Sequence, residues 1–205
     1  MAEAPSRNLL RRTVATVATA KPAAAPVSAV SSTKAPSTKG KNILLSDDCV
    51  EYLNYRVQQE EYSGRIYLAM SMWLDNNGYV NAAKLWRRYS NEEMSHSDLA
   101  RVYLLSMGVQ PETPVLESPE QTFTGLPEII EMSYDHEIVV TQQIKELADD
   151  AMKKMDHMLY EFALAYLKEQ VEEHNKMQNW VDQLNAFGTD RIAMRLLDHE
   201  MKDYL

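Results

Sequence analysis

Apolar residues recur at alternating steps of three and four from Asp47 to the end of the 205-residue chain, with few interruptions. This spacing places apolar side chains on one face of an α-helix, whereas a half-buried strand needs them at every second position. Sustained alternation of the strand type is absent from the sequence. The pattern therefore predicts an all-α fold in which each helix buries one face.

Turn and capping residues divide this pattern into four long helices and a short fifth helix. We predict helices at about 47–75, 79–107, 127–154, 157–187 and 189–204, numbered α1 to α5. Ser46 precedes α1 as a capping residue, while Gly108 and Gly188 end α2 and α4. Tight turns predict two antiparallel hairpins, α1–α2 and α3–α4. The connection of roughly 18 residues between the hairpins can run the length of a bundle, which predicts a four-helix bundle with one long crossover.

On each long helix, the residues at alternating steps of three and four form one inward-facing stripe, which we call the seam. Each seam carries one glutamate among apolar and aromatic residues. These seam glutamates are Glu60, Glu93, Glu137 and Glu173. Each lies about 10–16 residues from the start of its helix, so at 1.5 Å per residue all four reach the middle of one bundle.

Four carboxylates in a low-dielectric core are strongly destabilising unless protons or cations neutralise them. Arg65 lies one position from the seam and carries a single charge, so it cannot neutralise all four. Glu93 and His96, three residues apart, converge from one face of α2 and add an imidazole to the set. Carboxylates with an imidazole suit iron, manganese or zinc, and the constellation predicts a site for two divalent cations.

With these residues identified, the chain from about Leu44 to Leu205 resembles the bacterial-type non-haem ferritins. Four stretches carry the resemblance: QQEEYSGRIY in α1, RRYSNEEMSH in α2, DHEIVVTQQIKELA in α3 and EQVEEH in α4. The resemblance implies a ferritin-like four-helix bundle with a long crossover and a short fifth helix. It also implies an iron-storage protein whose subunits, about 24 of them, form a homo-oligomeric shell around ferric mineral.

The resemblance implies a ferroxidase centre that oxidises Fe(II) to Fe(III) with dioxygen or peroxide. Glu60, Glu93 and His96 match one iron site of that centre. Glu93 then bridges to a second iron site, which Glu137 and Glu173 match. Two iron ions per subunit are therefore expected.

Further matches surround this centre. Gln170 and Tyr67 correspond to a glutamine and a tyrosine beside the second iron site. Glu92, Glu169 and Glu172 match a third iron site of the bacterial type. The resemblance thus implies a possible third ion, bound by Glu169 and Glu172 of α4 together with Glu92 of α2.

Other di-iron proteins are excluded by spacing. A second Glu-x-x-His motif would need histidine three residues after Glu173, where Lys176 stands. Cys49 is the single cysteine, so a Cys-pair metal or redox motif is excluded. We predict no haem site. The histidines outside the seams are expected at the surface or at subunit contacts: His136, His157, His174 and His199.

Residues 1–42 form a separate segment rich in Ala, Pro, Ser and Thr. It holds seven basic residues and one acidic residue, a net charge of +6, so with −9 for the whole chain residues 43–205 carry −15. The composition predicts a disordered tail and is also that of an organelle transit peptide. The expected location is cytoplasmic, or an organelle matrix if the tail is a transit peptide.

The acidic charge of residues 43–205 suits cation traffic and argues against nucleic acid as a partner of this part of the chain. No apolar run approaches the roughly 18 residues of a membrane span, so we expect a soluble domain with no membrane partner. Two alternative functions stay open. One is a mini-ferritin-like protective protein that its basic tail ties to DNA or another partner. The other is a structural bundle with degenerate metal sites.

Overall fold

The computed structural model describes residues 44–205, and the regular structure in this part of the chain is helical throughout. Its elements are α1 (Asp47–Asn76), α2 (Val80–Ser106), α3 (Leu126–Lys154), α4 (His157–Phe187), α5 (Arg191–Glu200) and a 3-10 turn (Met201–Tyr204). The prediction of an all-α chain with four long helices and a short fifth is confirmed. The predicted disordered tail, residues 1–42, lies outside the described residues. Within residues 44–205, no helix has both the length and the apolar content to cross a membrane.

Short polar side chains fix where the helices begin. The Ser46 hydroxyl accepts a hydrogen bond from the Cys49 amide at 3.1 Å, as expected for a capping residue. The Asp156 carboxylate caps α4 by accepting from the Leu159 amide at 3.0 Å. Helix α5 begins at Arg191, slightly later than predicted, because the side chain before it, Asp190, serves as its cap.

The crossover between α2 and α3, residues 107–125, runs beside α1. Near its start, the Glu112 amide donates a hydrogen bond to the Asn54 side-chain oxygen at 2.9 Å. Near its end, the Phe123 ring meets the Trp73 ring edge-on, with 5.9 Å between centroids. Because Asn54 and Trp73 lie at opposite ends of α1, the crossover spans the bundle and α3 starts at the far end. The predicted long crossover is confirmed.

Two apolar clusters fill opposite ends of the bundle. The first is built around Trp86 and Trp180 and includes α5, and the second is built around Leu53 and Leu159. On every long helix, a stretch that contributes no buried residue to either cluster separates the two clusters. The buried polar residues of these stretches include Glu60, Ser63, Glu93, Ser97, Ser133, Glu137, Gln170 and Glu173, and the buried Arg56 lies next to them on α1. The bundle therefore has a polar band across its middle, which positions the candidate site.

Helix α5 is tied to the start of α2 by a buried carboxylate. One oxygen of Asp198 accepts hydrogen bonds from the Asn81 amide at 3.1 Å and the Ala82 amide at 2.9 Å. The first amides of a helix have no partner within that helix, so a carboxylate from another helix satisfies them here. The fifth helix thus closes one end of the bundle and caps α2.

Candidate metal centre

Three predicted ligands converge in the polar band. Glu60 from α1 and Glu93 and His96 from α2 each offer a ligand atom, and these atoms all lie within 4.8 Å of one another. Both glutamates are buried and His96 is half-buried. The His96 Nδ1 atom lies 3.5 Å from a Glu93 carboxylate oxygen. Two carboxylates and an imidazole at this spacing have the chemistry of a site for one divalent cation.

A close approach of α1 to α2 brings these ligands together. The Ser90 hydroxyl donates a hydrogen bond to the Gly64 carbonyl at 2.8 Å. A Cβ added at Gly64 would stand 3.2 Å from the Ser90 carbonyl oxygen, tighter than ordinary contact. Gly64 lies one turn after Glu60, so the missing side chain lets the two helices approach beside the ligand group.

Arg56 is a member of the site that helical periodicity did not predict. Its Nε atom donates to a Glu60 oxygen at 3.1 Å, and a second guanidinium nitrogen donates to the same oxygen. A third contact reaches the Gln143 side-chain oxygen at 3.3 Å. The guanidinium also lies over the Tyr166 ring, 5.8 Å from its centroid. The four-residue spacing from Arg56 to Glu60 is the signal that could have found this pair.

Glu137 is held at both carboxylate oxygens. The Tyr67 hydroxyl donates to one oxygen, and the Gln170 side-chain amide donates to the other at 3.1 Å. The Thr141 hydroxyl in turn donates to the Gln170 oxygen at 3.1 Å, which fixes the orientation of that amide. The structure thus brings Tyr67, Gln170 and Glu137 together in the band, although Glu137 stands outside the three-residue ligand group.

Glu173 pairs with an amine rather than with another acid. The Lys176 ammonium lies 2.9 Å from a Glu173 oxygen and 3.1 Å from a Glu92 oxygen. The other Glu92 oxygen accepts from the Arg88 Nε atom at 3.0 Å. Lys176 is therefore a second basic residue of the site whose role the sequence analysis did not recognise.

The residues predicted for a third ion do not form a ligand group within residues 44–205. Glu92 is half-buried and engaged by Lys176 and Arg88, whereas Glu169 and Glu172 are exposed on α4. The only group of three candidate ligand residues in the described part of the chain is Glu60, Glu93 and His96. The third site, like the second, stays a prediction.

Burial shifts the protonation of the central carboxylates. It raises the pKa of Glu93 well above 4.5, and the charges of Glu60 and Glu137 raise it further. Burial also raises the pKa of Glu137 to about 7, although the hydrogen bond from Tyr67 acts in the opposite direction. Without a metal, Glu137 therefore holds a proton below about pH 7 that a cation would displace.

His136 is half-buried and its ring packs against α1, so it is not the exposed surface residue predicted as one alternative, while the predicted subunit contact stays a prediction. Its Nε2 atom lies 2.8 Å from the Ser63 hydroxyl oxygen, and its ring meets the Tyr67 ring edge-on at 5.8 Å. Burial lowers the pKa of His136 to about 4, which keeps the ring neutral beside the site. His174 is half-buried against Tyr134, with ring centroids 5.2 Å apart. His157 and His199 are exposed, as expected.

Comparisons with known proteins agree with this architecture. The profile of the family described as ferritin-like domain matches residues 50–187. A probable bacterial non-heme ferritin-like protein of Haemophilus influenzae is 32% identical over 158 residues, 77% of this chain and 96% of that protein. The bacterial non-heme ferritin of Escherichia coli O157:H7 is similar to the same extent, 32% over 158 residues with the same coverage. An open pore ferritin of the archaeon Archaeoglobus fulgidus aligns with a TM-score of 0.74 at 30% identity, covering 77% of this chain and 96% of that one.

Proposed function

This chain belongs to the ferritin-like family, and on that premise we propose that it oxidises Fe(II) within its bundle and stores the Fe(III) product as mineral. Iron is the substrate and the cargo of this activity. The observation that carries the proposal is the convergence of Glu60, Glu93 and His96, whose ligand atoms lie within 4.8 Å of one another in a buried band. The relatives' own names, which include bacterial non-heme ferritin, support the same activity.

The proposed centre binds two Fe(II) ions. Glu60, Glu93 and His96 hold one ion, and Glu93 bridges to a second ion that Glu137 and Glu173 hold. The second ion has oxygen ligands only, which suits iron that is oxidised and then passed on rather than retained. Dioxygen or peroxide takes the electrons, while the carboxylates neutralise the charge of the two ions.

The chain's own residues orient these ligands. Arg56 holds Glu60, while Tyr67 and Gln170 hold the two oxygens of Glu137. Ligands that are already positioned need less reorganisation when a cation arrives. Since the pKa of Glu137 is raised to about 7, binding of a cation there releases a proton near neutral pH.

Storage would follow oxidation. We propose that about 24 subunits assemble and that their residues 43–205 form a shell. The Fe(III) product then moves to the acidic cavity inside this shell. Glu92, Glu169 and Glu172 form the proposed third iron site on that route. The proposed location is cytoplasmic.

Aerobic oxidation of Fe(II) tests the proposal. We expect a fast phase of Fe(III) formation in the wild type, measured by ultraviolet absorbance, that is lost in Glu93→Ala. Glu161→Ala, which removes an exposed glutamate of α4, is the matched control and should keep the fast phase. Equal fast-phase rates in wild type and Glu93→Ala would contradict the assignment of the site.

Particle size after iron loading tests storage separately. The expected result is a large assembly with an electron-dense core, seen by electron microscopy and by size-exclusion chromatography. A monomer or dimer without a core would contradict storage while leaving the oxidation activity to stand on its own result.

A further inference from the structure

Lys176 places a positively charged ammonium group at the outer edge of the polar band. Its ammonium lies 2.9 Å from a Glu173 oxygen and 3.1 Å from a Glu92 oxygen, so it joins α4 to α2. Its side chain is 31% exposed, while that of Glu173 is only 6% exposed. A buried carboxylate of the site thus depends on a half-buried amine for its counter-charge.

The two halves of the site differ in what holds their carboxylates. Arg56 binds Glu60 from a fully buried position, and a planar guanidinium held by several contacts is not easily displaced. Lys176 is a compact ammonium on a flexible stem, and about a third of its side chain is open to water (31% exposed). Its ammonium also lies 6.0 Å from the centroid of the Tyr89 ring, and it lines a surface cavity of about 320 Å³. The amine therefore has space to leave and solvent to enter.

From this asymmetry we propose that Lys176 is a displaceable internal cation that makes the second metal ion bind later and more weakly than the first. This inference rests on the proposed two-ion centre. The first ion binds Glu60, Glu93 and His96, none of which contacts Lys176 by an ion pair in the described residues. The second ion needs Glu173, and it has to displace the ammonium from that carboxylate.

The displacement has a physical cost that the structure explains. A divalent ion within a few ångströms of an ammonium is repelled by it, and the repulsion is strong in a poorly solvated site. When Lys176 swings out, it also gives up its contacts with both carboxylates. In the absence of metal the same residue is stabilising, because it neutralises Glu173. Lys176 thus stabilises the metal-free bundle and opposes the second ion.

Anaerobic titration with Co²⁺ tests the proposal without any redox chemistry. Isothermal titration calorimetry and the Co²⁺ absorption spectrum report the number of bound ions and their affinities. In Lys176→Gln we expect the second ion to bind at least about tenfold more tightly than in the wild type, with the first ion changed by less than about threefold. Lys176→Arg keeps the charge and should keep the weak second step.

Lys168→Gln is the matched control. It removes an exposed lysine two turns earlier on the same helix and changes the net charge equally, so its two affinities should match those of the wild type. If the second ion binds Lys176→Gln no more tightly than it binds the wild type, the proposed role of Lys176 is overturned. The proposed two-ion centre would then still stand. Failure of the wild type to bind any Co²⁺ would overturn the proposed two-ion centre together with the role of Lys176.

Thermal unfolding separates this role from a purely structural one. Metal-free Lys176→Gln should melt at a lower temperature than the wild type, because Glu173 loses its counter-charge. Addition of saturating Co²⁺ should raise the melting temperature of the variant more than that of the wild type. If the melting temperature of the variant lies below that of the wild type by the same amount with and without Co²⁺, Lys176 has only a structural role.

Discussion

Arg56 and Glu60 form a buried ion pair one helical turn apart on α1, and neither side chain is more than 3% exposed. The pair explains how a carboxylate can sit in the core of the metal-free bundle. It also fixes one oxygen of Glu60, which orients this ligand before any cation arrives.

Replacing Arg56 with Met should lower the free energy of unfolding of the metal-free protein by about 3–5 kcal/mol, because Glu60 stays buried without its partner. Urea unfolding in the presence of a chelator measures this loss. Arg65→Met is the control, since Arg65 is exposed on the same helix and its loss should cost less than about 0.5 kcal/mol. Equal losses in the two variants would mean that the buried pair does not stabilise the bundle.

Glu137 should make the metal-free bundle less stable as pH rises. Its pKa is about 7 in the folded protein and 4.5 in the unfolded chain, so between these values the folded state holds a proton that the unfolded state has lost. The resulting stabilisation is complete below pH 4.5 and is lost as pH rises through about 7. The free energy of unfolding, measured across this range for the wild type and Glu137→Gln, should fall more steeply in the wild type. If the difference in the free energy of unfolding between the wild type and Glu137→Gln does not change with pH, the raised pKa of Glu137 is contradicted.

Tyr67→Phe should weaken metal binding below neutral pH. The Tyr67 hydroxyl donates to Glu137 and thereby lowers the pKa of that carboxyl, so its loss leaves a proton that is harder to displace. Affinity for Co²⁺ measured from about pH 6 to pH 8 should reach its plateau at higher pH in the variant. Tyr89→Phe is the control, because the Tyr89 hydroxyl accepts from the Trp180 ring nitrogen at 2.8 Å instead. The same pH profile in both variants would disprove a role for the Tyr67 hydrogen bond.

Asp198→Ala should destabilise the bundle by about 1–3 kcal/mol, because it leaves the first amides of α2 without a partner. The affected amides belong to Asn81 and Ala82. Thermal or urea unfolding measures the change, and Asp203→Ala, at an exposed position of the 3-10 turn, serves as the control. If both variants unfold at the same temperature or urea concentration as the wild type, the expectation is contradicted.

Most of the fold could be predicted from helical periodicity, turns and connection lengths. Periodicity places the seams of α3 and α4 correctly, because all their predicted residues are buried. On α3 these are Ile130, Ser133, Glu137, Val140, Ile144, Leu147 and Ala151, and on α4 they are Ala163, Tyr166, Gln170, Glu173, Met177, Trp180 and Leu184. The long crossover follows from its length, because a short loop could not have reached the far end of α1. Only local capping details, such as Asp190 at α5, changed the predicted bounds.

The candidate site was only partly predictable. Seam position identified Glu60, Glu93 and His96 as neighbours, because residues at matched heights on facing helices must meet. Arg56 and His136 lie off the seams, and a seam analysis treats such residues as surface. Their burial depends on how α1 and α3 rotate against each other and on which side chains surround them, as with Ser63 beside His136. Periodicity along a single helix does not contain that information for His136, and for Arg56 it offers only the four-residue spacing to Glu60.

The separation of the two apolar clusters has a consequence for how the molecule tolerates change. Each cluster includes residues of all four long helices on its own side, so the register of the bundle is held at both ends. Substitutions confined to the central residues can then alter which cations bind, and how tightly, while the helices keep their relative positions. In this bundle, the two apolar ends hold the register of the helices, while the middle determines the metal chemistry and contributes to stability through its own ion pairs.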